Sequence, residues 1–318
     1  MSSGMKAASF LIQPVEGKGL GVVANCDFKP GQLILSEAVL ILSRQERSDW
    51  LTANQARQIF KQVARLTRDQ RQQMMELHCM GEKKILKVFR TNCICVDETN
   101  FGLFLNISRV NHSCCPNSVD CKGMVKEVRA IKHINRGEEI TMSYLVNNWD
   151  IQANRRKELS YWQFECACQV CSLTGRDLLH NEEIRQEIIE KDDALTKFVD
   201  SVIAVQDNAA TMLEDDRRLL QCHIYVNIRQ MVRVAEDKLN LVNKMGHQMK
   251  MKLFTSHLQC LLLYCKARAL GVPTVQQADQ RVEHHGQQLS KMSGCSQDWR
   301  VKFCEALGRG MMFSVGQG

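Results

Sequence analysis

Three short motifs between Asn111 and Cys171 decide the fold of this 318-residue chain. They are Asn111-His112-Ser113-Cys114, then Gly137-Glu138-Glu139-Ile140-Thr141-Met142-Ser143-Tyr144, and then Cys166-Ala167-Cys168-Gln169-Val170-Cys171. Each motif alone is weak, because an Asn-His pair is commonly a polar loop and a tyrosine that closes a strand commonly serves packing. Their order and spacing together indicate a single site.

The cysteine motif predicts a metal site. Its spacing, Cys-x-Cys-x-x-Cys, places three thiolates within six residues, close enough for one loop to surround a single ion. Zinc prefers four such ligands in a tetrahedron, so a fourth ligand must come from elsewhere in the chain. A structural ion is favoured over a catalytic one, because four thiolates leave no open position for water.

The composition bounds the class of protein. With 44% hydrophobic and 24% charged residues the chain is an ordinary globular protein, and its length suggests two domains. No apolar run approaches the roughly 18 to 20 residues that span a bilayer. The N-terminus lacks the apolar stretch of a signal peptide. We therefore expect a protein of the cytoplasm and/or nucleus that does not associate with membranes.

The cysteine count and the net charge limit the kinds of ligand and partner that the chain is expected to bind. Fifteen cysteines in a reducing compartment predict free thiols and a metal rather than a disulfide framework. The net charge of +7 is spread through the chain without a basic block of five residues, so nucleic-acid binding is not supported.

The order of elements predicts an α+β fold. Short apolar runs cut by Gly and Pro predict β-strands between Phe10 and Leu42. Apolar residues at helical spacing then predict a helical insertion over about 44–90. Strand-like alternation returns at Asn92–Val96, Ser118–Cys121, Val125–Ile131 and Glu139–Tyr144. The rest of the chain is predicted to be helical, over about 182–206, 215–245, 250–270 and 275–292.

The three motifs resemble the SET domain of protein-lysine methyltransferases, and within that superfamily the SET-and-MYND branch. The resemblance covers about residues 8–172, with the helical insertion at about 44–90 and a post-SET zinc segment at about 160–172. The MYND zinc finger is missing, since only Cys79, Cys93 and Cys95 occur between Val39 and Asn100. A separate all-helical domain would then occupy residues 176–318, after a break near Leu173 to Arg176.

The resemblance implies a function. A SET β-fold with a zinc-binding post-SET segment implies methyl transfer from S-adenosylmethionine to a lysine side chain of a protein substrate, histone or non-histone. The alternative is a catalytically weak or inactive SET-fold interaction module that zinc stabilises. The presence of the Asn-His pair and of Tyr144 favours the enzyme.

The resemblance also implies roles for individual residues. Tyr144 is similar to the catalytic tyrosine of the family. The residues implied in cofactor binding are Lys18, Gly19, Leu20, Asn92, Asn111, His112, Tyr144 and Phe164. Zinc would be bound by Cys114, Cys166, Cys168 and Cys171, with Cys115 as the alternative to Cys114.

One position departs from the family pattern. Relatives often carry Tyr-x-Phe-x-Cys before the cysteine motif, with the tyrosine in the lysine channel. Here that register holds Trp162, and Tyr161 stands one residue earlier. Either a one-residue shift gives Tyr161 this catalytic position, or Trp162 lines the channel instead.

Overall fold

The computed structural model describes residues 8–44, 51–97, 99–121, 123–145, 147–207 and 213–245, together with single helical positions between 252 and 288. The chain divides into two compact units. The first comprises the described residues up to Asn148 with Gln152–Ser172, and the second comprises Trp149–Ile151 with those from Leu173 onward. The α+β fold class is confirmed, whereas the domain limits of 8–172 and 176–318 stay predictions.

The first unit contains three sheets. Their strands, in chain order, are β1 (Phe10–Val15), β2 (Gly19–Ala24), β3 (Leu33–Ala38), β4 (Ile41–Arg44), β5 (Ile94–Cys95), β6 (Asn100–Leu103), β7 (Asn111–His112), β8 (Ser118–Asp120), β9 (Val125–Ala130) and β10 (Glu139–Met142). One sheet has the order β1-β2-β10-β7, and the two others have the orders β3-β9-β8 and β4-β6-β5.

The four-stranded sheet brings two of the sequence motifs side by side. Strand β10 lies between β2 and β7, antiparallel to β2 and parallel to β7. In the parallel pair Thr141 stands opposite Asn111 and Met142 opposite His112. The N–H of Ser113 donates to the Met142 carbonyl oxygen at 2.9 Å and continues the pairing. Tyr144, two residues beyond β10, therefore lies beside the Asn-His motif.

The apolar faces of these sheets form the core of the first unit. Its buried side chains come from four of the strands and from the segments between them, among them Val22, Phe28, Ile34, Leu35, Val96, Phe104, Ile107, Val128, Ile134, Ile140 and Met142. Burial of apolar surface of this kind is the main term that stabilises a fold. The packed core fixes the sheet on which the motifs lie.

The insertion is helical, as its sequence pattern predicts. It contains α1 (Ala53–Val63), α2 (Arg68–Glu76) and α3 (Ile85–Asn92). The first two helices begin with capping boxes, Thr52 with Gln55 and Thr67 with Gln70, in which each side chain binds the other residue's backbone N–H. Their apolar faces pack with β4 and β6 in a second core.

The predicted strand from Asn92 to Val96 is wrong at its beginning. Asn92 is the last residue of α3, and β5 covers only Ile94–Cys95. The Asn92 amide donates to the carbonyl oxygens of His78 and Val88, both at 2.7 Å. These bonds close the helix end, because Val88 lies one turn before Asn92.

The first unit ends with α4 (Gln152–Leu159), a 3-10 turn at Ser160–Trp162 and the cysteine segment. In the second unit α5 (Gly175–Asp207) and α6 (Glu214–Lys244) pack along each other. Helix α5 begins earlier than predicted. The described positions in the two later helical ranges are helical, but the limits of those helices lie outside the described residues.

The second unit has an apolar core of its own. Apolar side chains of α5 and α6 form its core, including Leu195, Phe198, Ile224, Ile228, Ala235 and Leu239. Among the helices that the structure describes, none is long and apolar enough to cross a membrane.

Candidate active site

A polar cluster forms where the turn before β2 meets β7 and β10. The Glu139 carboxylate accepts a hydrogen bond from the Asn111 amide at 2.9 Å and an ion-pair contact from the Lys18 ammonium at 2.6 Å. The Asn111 amide is also 3.4 Å from the Leu20 carbonyl oxygen. Two of the predicted cofactor residues, Lys18 and Asn111, therefore contact one carboxylate, and Asn111 joins a third, Leu20, to them. Glu139 is not among the residues predicted for the site.

The backbone of β2 approaches Asn111 closely. A Cβ atom added to Gly21 would stand 2.7 Å from the Asn111 amide nitrogen and 2.7 Å from a methyl carbon of Val15. Real Cβ atoms do not come so near to other heavy atoms, so a larger residue here would displace a neighbour. Gly21 thus lets the strand lie against the Asn-His motif.

His112 is buried, with 4% of its surface exposed. Its Nδ1 accepts the backbone N–H of Tyr144 at 2.9 Å, and its Nε2 lies 3.3 Å from Cys114 Sγ. Burial lowers the pKa of His112 from 6.5 to about 4, so the imidazole is neutral at physiological pH. The side chain therefore contacts both the tyrosine segment and the cysteine cluster.

Tyr144 lies in an aromatic cluster. Its ring centroid is 5.3 Å from that of His112, 5.4 Å from that of Trp162 and 6.4 Å from that of Phe164, which meets it edge-on. The phenol donates to the Val110 carbonyl oxygen at 2.9 Å. Burial raises the pKa of Tyr144 above its usual value of about 10, so the hydroxyl keeps its proton.

The chain turns sharply before Phe164. Gln163 has a φ of 58°, in the left-handed region that residues other than glycine rarely adopt. The turn follows the 3-10 turn and directs Phe164 to His112, with 5.9 Å between ring centroids. No sequence signal marks Gln163 for this conformation.

Tyr161 and Trp162 take different positions. Trp162 packs on Tyr144, whereas the Tyr161 hydroxyl accepts a hydrogen bond from Arg90 Nε at 3.2 Å. The Tyr161 ring lies edge-on to Trp162 with 42% of the residue exposed. Trp162 is thus the direct neighbour of the predicted catalytic tyrosine, and the catalytic role of Tyr161 stays a prediction.

Four thiols form a compact group. The Sγ atoms of Cys114, Cys166, Cys168 and Cys171 all lie within 4.8 Å of one another. Cys114 Sγ is 3.9 Å from Cys166 Sγ and 3.5 Å from Cys171 Sγ. A zinc–sulfur bond of about 2.3 Å implies an edge of about 3.8 Å between sulfurs of a tetrahedron, so the group fits zinc. Cys115 lies outside this group.

The four thiols shift one another's pKa values in opposite directions, upward at Cys114 and Cys166 and downward at Cys168 and Cys171. Hydrogen bonds from the neighbouring thiols, first that of Cys114, lower the pKa of Cys168, and the same neighbour lowers the pKa of Cys171 to about 7. Arg155 is 1% exposed, and its guanidinium lies 4.0 Å from Cys171 Sγ. A buried cation here offsets the net negative charge that four thiolates leave on a divalent ion. Arg155 is therefore a structural neighbour of the cluster, which its basic sequence context did not reveal.

The predicted residues divide into two groups. Those that the structure brings together are the turn Lys18, Gly19 and Leu20, the pair Asn111 and His112, the aromatic residues Tyr144 and Phe164, and the four cysteines. The Asn92 amide instead binds two carbonyl oxygens at the end of α3. Its role in cofactor binding stays a prediction.

Comparison with known proteins gives the class. Residues 19–145 match the SET domain family. The chain is 26% identical over 184 residues to the histone-lysine N-methyltransferase set5 of Schizosaccharomyces pombe, covering 56% of this chain and 55% of that protein. It is 42% identical over 78 residues to the N-lysine methyltransferase SMYD2-B of Xenopus laevis, covering 24% and 18% of the two chains.

A third relative, the histone-lysine N-methyltransferase SMYD3 of Mus musculus, is 33% identical over 99 residues, which are 30% of this chain and 23% of that protein. The chain therefore spans about half the length of the first relative and about a fifth of the other two. The fold, the motifs and the family match establish that the chain contains a SET domain. Within that class, all three of these relatives are named as histone-lysine or N-lysine methyltransferases.

Proposed function

We propose that the chain transfers a methyl group from S-adenosylmethionine to the side-chain amine of a lysine in a protein substrate, histone or non-histone. The observation that carries this proposal is the position of Tyr144. Its ring lies among His112, Trp162 and Phe164, and its backbone is joined to the Asn-His motif beside β10. We expect the protein to act in the cytoplasm and/or nucleus.

The polar cluster suits the amino-acid end of the cofactor. S-adenosylmethionine carries one ammonium and one carboxylate group there. The Lys18 ammonium and the Asn111 amide donate hydrogen bonds to a carboxylate, as they now do to Glu139, and the Glu139 carboxylate accepts from an ammonium. The three side chains together therefore complement both charges of the cofactor.

The aromatic cluster suits the methyl transfer itself. Transfer from a sulfonium to an amine is an in-line displacement, so alignment of the donor, methyl group and amine is the main requirement. The Tyr144 oxygen and nearby backbone carbonyls accept weak C–H···O contacts from the polarised methyl group and orient it. The incoming lysine, with an ordinary pKa of about 10.4, loses its proton more readily where an apolar wall desolvates it. Trp162 provides such a wall next to Tyr144.

The thiol group would hold a structural zinc ion. Four thiolates from Cys114 and the segment Cys166–Cys171 fill a tetrahedral shell and leave no position for substrate. The ion would fasten the segment that carries Phe164 to the loop that follows His112. The zinc would therefore shape one wall of the site and would take no part in the chemistry.

Isothermal titration of the zinc-loaded protein with S-adenosylmethionine and S-adenosylhomocysteine tests the proposal. Wild type is expected to bind both, and Asn111→Ala to lose at least about tenfold in affinity, since it removes a charge-assisted hydrogen bond at the binding cluster. Asn25→Ala, which removes an exposed amide bonded to Ala8 near the end of β2, is the matched control and should bind as wild type does.

A second experiment tests the transfer. Wild type is incubated with labelled S-adenosylmethionine and a library of histone and non-histone lysine peptides, beside Tyr144→Phe as the inactive comparator. Labelled product from wild type alone supports the enzyme. Cofactor binding without product on any peptide would favour the zinc-stabilised interaction module, and folded wild type that binds no cofactor would contradict the proposed function outright.

A further inference from the structure

Both ring nitrogens of His112 are engaged inside the protein. Nδ1 is 2.9 Å from the Tyr144 backbone nitrogen, and Nε2 is 3.3 Å from Cys114 Sγ. The backbone N–H of Tyr144 can only donate, so Nδ1 is the unprotonated acceptor. The ring proton of the neutral imidazole must then be on Nε2, where it faces the sulfur.

Neither nitrogen is free for a cofactor atom. The side chain is buried, and its ring packs against those of both Tyr144 and Phe164, at 5.3 Å and 5.9 Å. A cofactor can therefore meet the backbone or the face of this residue, but its ring nitrogens serve the protein. This differs from the direct cofactor contact that the sequence resemblance implied for His112.

We propose that His112 is a positioning residue that couples the thiolate cluster to the backbone of Tyr144. A metal-bound cysteine is a thiolate, which accepts a hydrogen bond from the Nε2–H group. This hydrogen bond fixes both the tautomer and the orientation of the ring. The fixed ring then presents Nδ1 to the Tyr144 N–H and sets the backbone from which the phenol projects. Metal binding and cofactor binding are thereby linked, and the link is reciprocal. The cofactor arm of this inference rests on the proposed function, whereas the contact between His112 and Cys114 does not.

Two amide substitutions at His112 each remove one of its two hydrogen bonds and keep the other. In His112→Asn the side-chain oxygen takes the place of Nδ1 and still accepts the Tyr144 N–H, but no donor reaches Cys114. In His112→Gln the longer amide brings an N–H near the place of Nε2 and still donates to Cys114, but no acceptor faces Tyr144. The two variants are each other's control, because both replace the ring by a neutral amide.

The first readout is the metal and needs no turnover. Zinc affinity is measured by competition with a chromophoric chelator, and the cobalt-substituted proteins are compared by their sulfur-to-cobalt charge-transfer band. We expect His112→Asn to lose about 10- to 100-fold in zinc affinity and to shift this band, as is typical when a ligand loses its outer hydrogen bond. His112→Gln should stay close to wild type in both. Equal affinities and spectra in all three proteins would overturn the proposal.

The second readout is the linkage. S-adenosylhomocysteine should raise the zinc affinity of wild type, and this increase should vanish in both variants, because each breaks one of the two bonds. An increase that survives in both would show that the coupling does not pass through His112. If wild type binds no cofactor, the proposed function fails, but the chelator and cobalt measurements still decide whether His112 supports the cluster.

A measurement on wild type covers the case in which a variant does not fold. In protein labelled with ¹⁵N-histidine and loaded with ¹¹³Cd²⁺, His112 should show an unprotonated Nδ1 and a slowly exchanging proton on Nε2 with a scalar coupling to cadmium. The same signals should be absent from His112→Asn, which assigns them. A proton on Nδ1, or an Nε2 proton without that coupling, would contradict the arrangement.

Discussion

At the scale of the residue, only those side chains of the site that belong to a motif could be predicted from the sequence. Asn111, His112 and Tyr144 stand in recognisable patterns, and the structure brings them together. Glu139 lies in the second motif and Arg155 in a basic run, but neither pattern marks a role for them, because acids after a glycine turn and arginines in a basic run are commonly surface residues. Their partners lie far away in the sequence, at Asn111 and Cys171, so only the fold reveals them.

Trp162, rather than Tyr161, is expected to govern turnover. Trp162→Leu removes the aromatic wall beside Tyr144 and should lower kcat by at least about tenfold, because a misplaced amine reacts slowly. Tyr161→Phe removes only the hydroxyl that accepts from Arg90 and should change kcat by less than about threefold, the effect of a lost exposed hydrogen bond. Steady-state methyl transfer on any peptide that the library yields checks this. A larger effect of Tyr161→Phe would return the channel position to Tyr161.

At the scale of the element, the strands near the motifs could be predicted from alternation and turn residues, but two features could not. The helix α3 continues to Asn92, since the amide of that residue closes it, and the strand expected there begins later. The short strands β5 and β7 have only two residues each, too few for any period to appear in a sequence. Short elements form because their neighbours offer partners, and that information is not local.

A 3-10 turn at Ile107–Arg109, just before β7, is held by one carboxylate. Glu37, in β3, accepts backbone N–H groups of Leu105, Asn106 and Ile107 at 2.8 to 3.1 Å. Glu37→Gln keeps one acceptor oxygen but turns an amide towards these donors, so it should lower the free energy of unfolding by about 1–3 kcal/mol.

Urea unfolding of the whole chain measures this change in the transition of the first unit. Glu127→Gln is the matched control, because Glu127 makes an exposed ion pair with Arg129 on β9 that should contribute about 1 kcal/mol or less. Equal losses in the two variants would show that the Glu37 carboxylate is no special anchor for the turn.

In the second unit, buried lysines should make stability depend on pH. Lys252 and Lys238 both contact the Asp192 carboxylate, and the Lys252 ammonium lies 4.1 Å from the Trp149 ring centroid. Burial lowers the pKa of Lys252 from 10.5 to about 8. Between these values the unfolded chain binds more protons than the folded one, so the stability of the unit should rise with pH.

The test compares wild type with Lys252→Met, which keeps the volume but does not titrate. From about pH 7.5 to about pH 9.5 wild type should gain about 2 kcal/mol relative to the variant in urea unfolding. A constant difference over this range would mean that Lys252 titrates normally in the folded protein.

At the scale of the whole molecule, the composition and the change of pattern after Cys171 pointed to a mixed unit followed by helices, and the structure has both. The start of α5 was less accessible, because amphipathic sequence without a strong start signal indicates a helix but not its ends. The separation into two compact units has a testable consequence, because each has its own buried core.

Removal of the metal should act on the first unit alone. When a thiol-selective chelator strips the zinc-loaded protein, hydrogen exchange should accelerate in Asn111–Asn117 and Gln163–Ser172, which carry the four cysteines. Helices α5 and α6 should keep their protection. Peptide-resolved mass spectrometry checks this, with re-added zinc as the control for reversibility. Faster exchange in α6 as well would contradict independent cores.

An ion bound by the thiol group would also lower the conformational entropy of the chain between its ligands. Cys114 and Cys166 are 52 residues apart, and an ion bound to both closes the intervening chain into a ring that contains β8, β9, β10 and Tyr144. Closing a loop of this size costs a free chain about 4 kcal/mol of entropy by the treatment used for disulfides. The ion would therefore act as a reversible cross-link that confines the segment carrying Tyr144 even where the sheets have not yet formed.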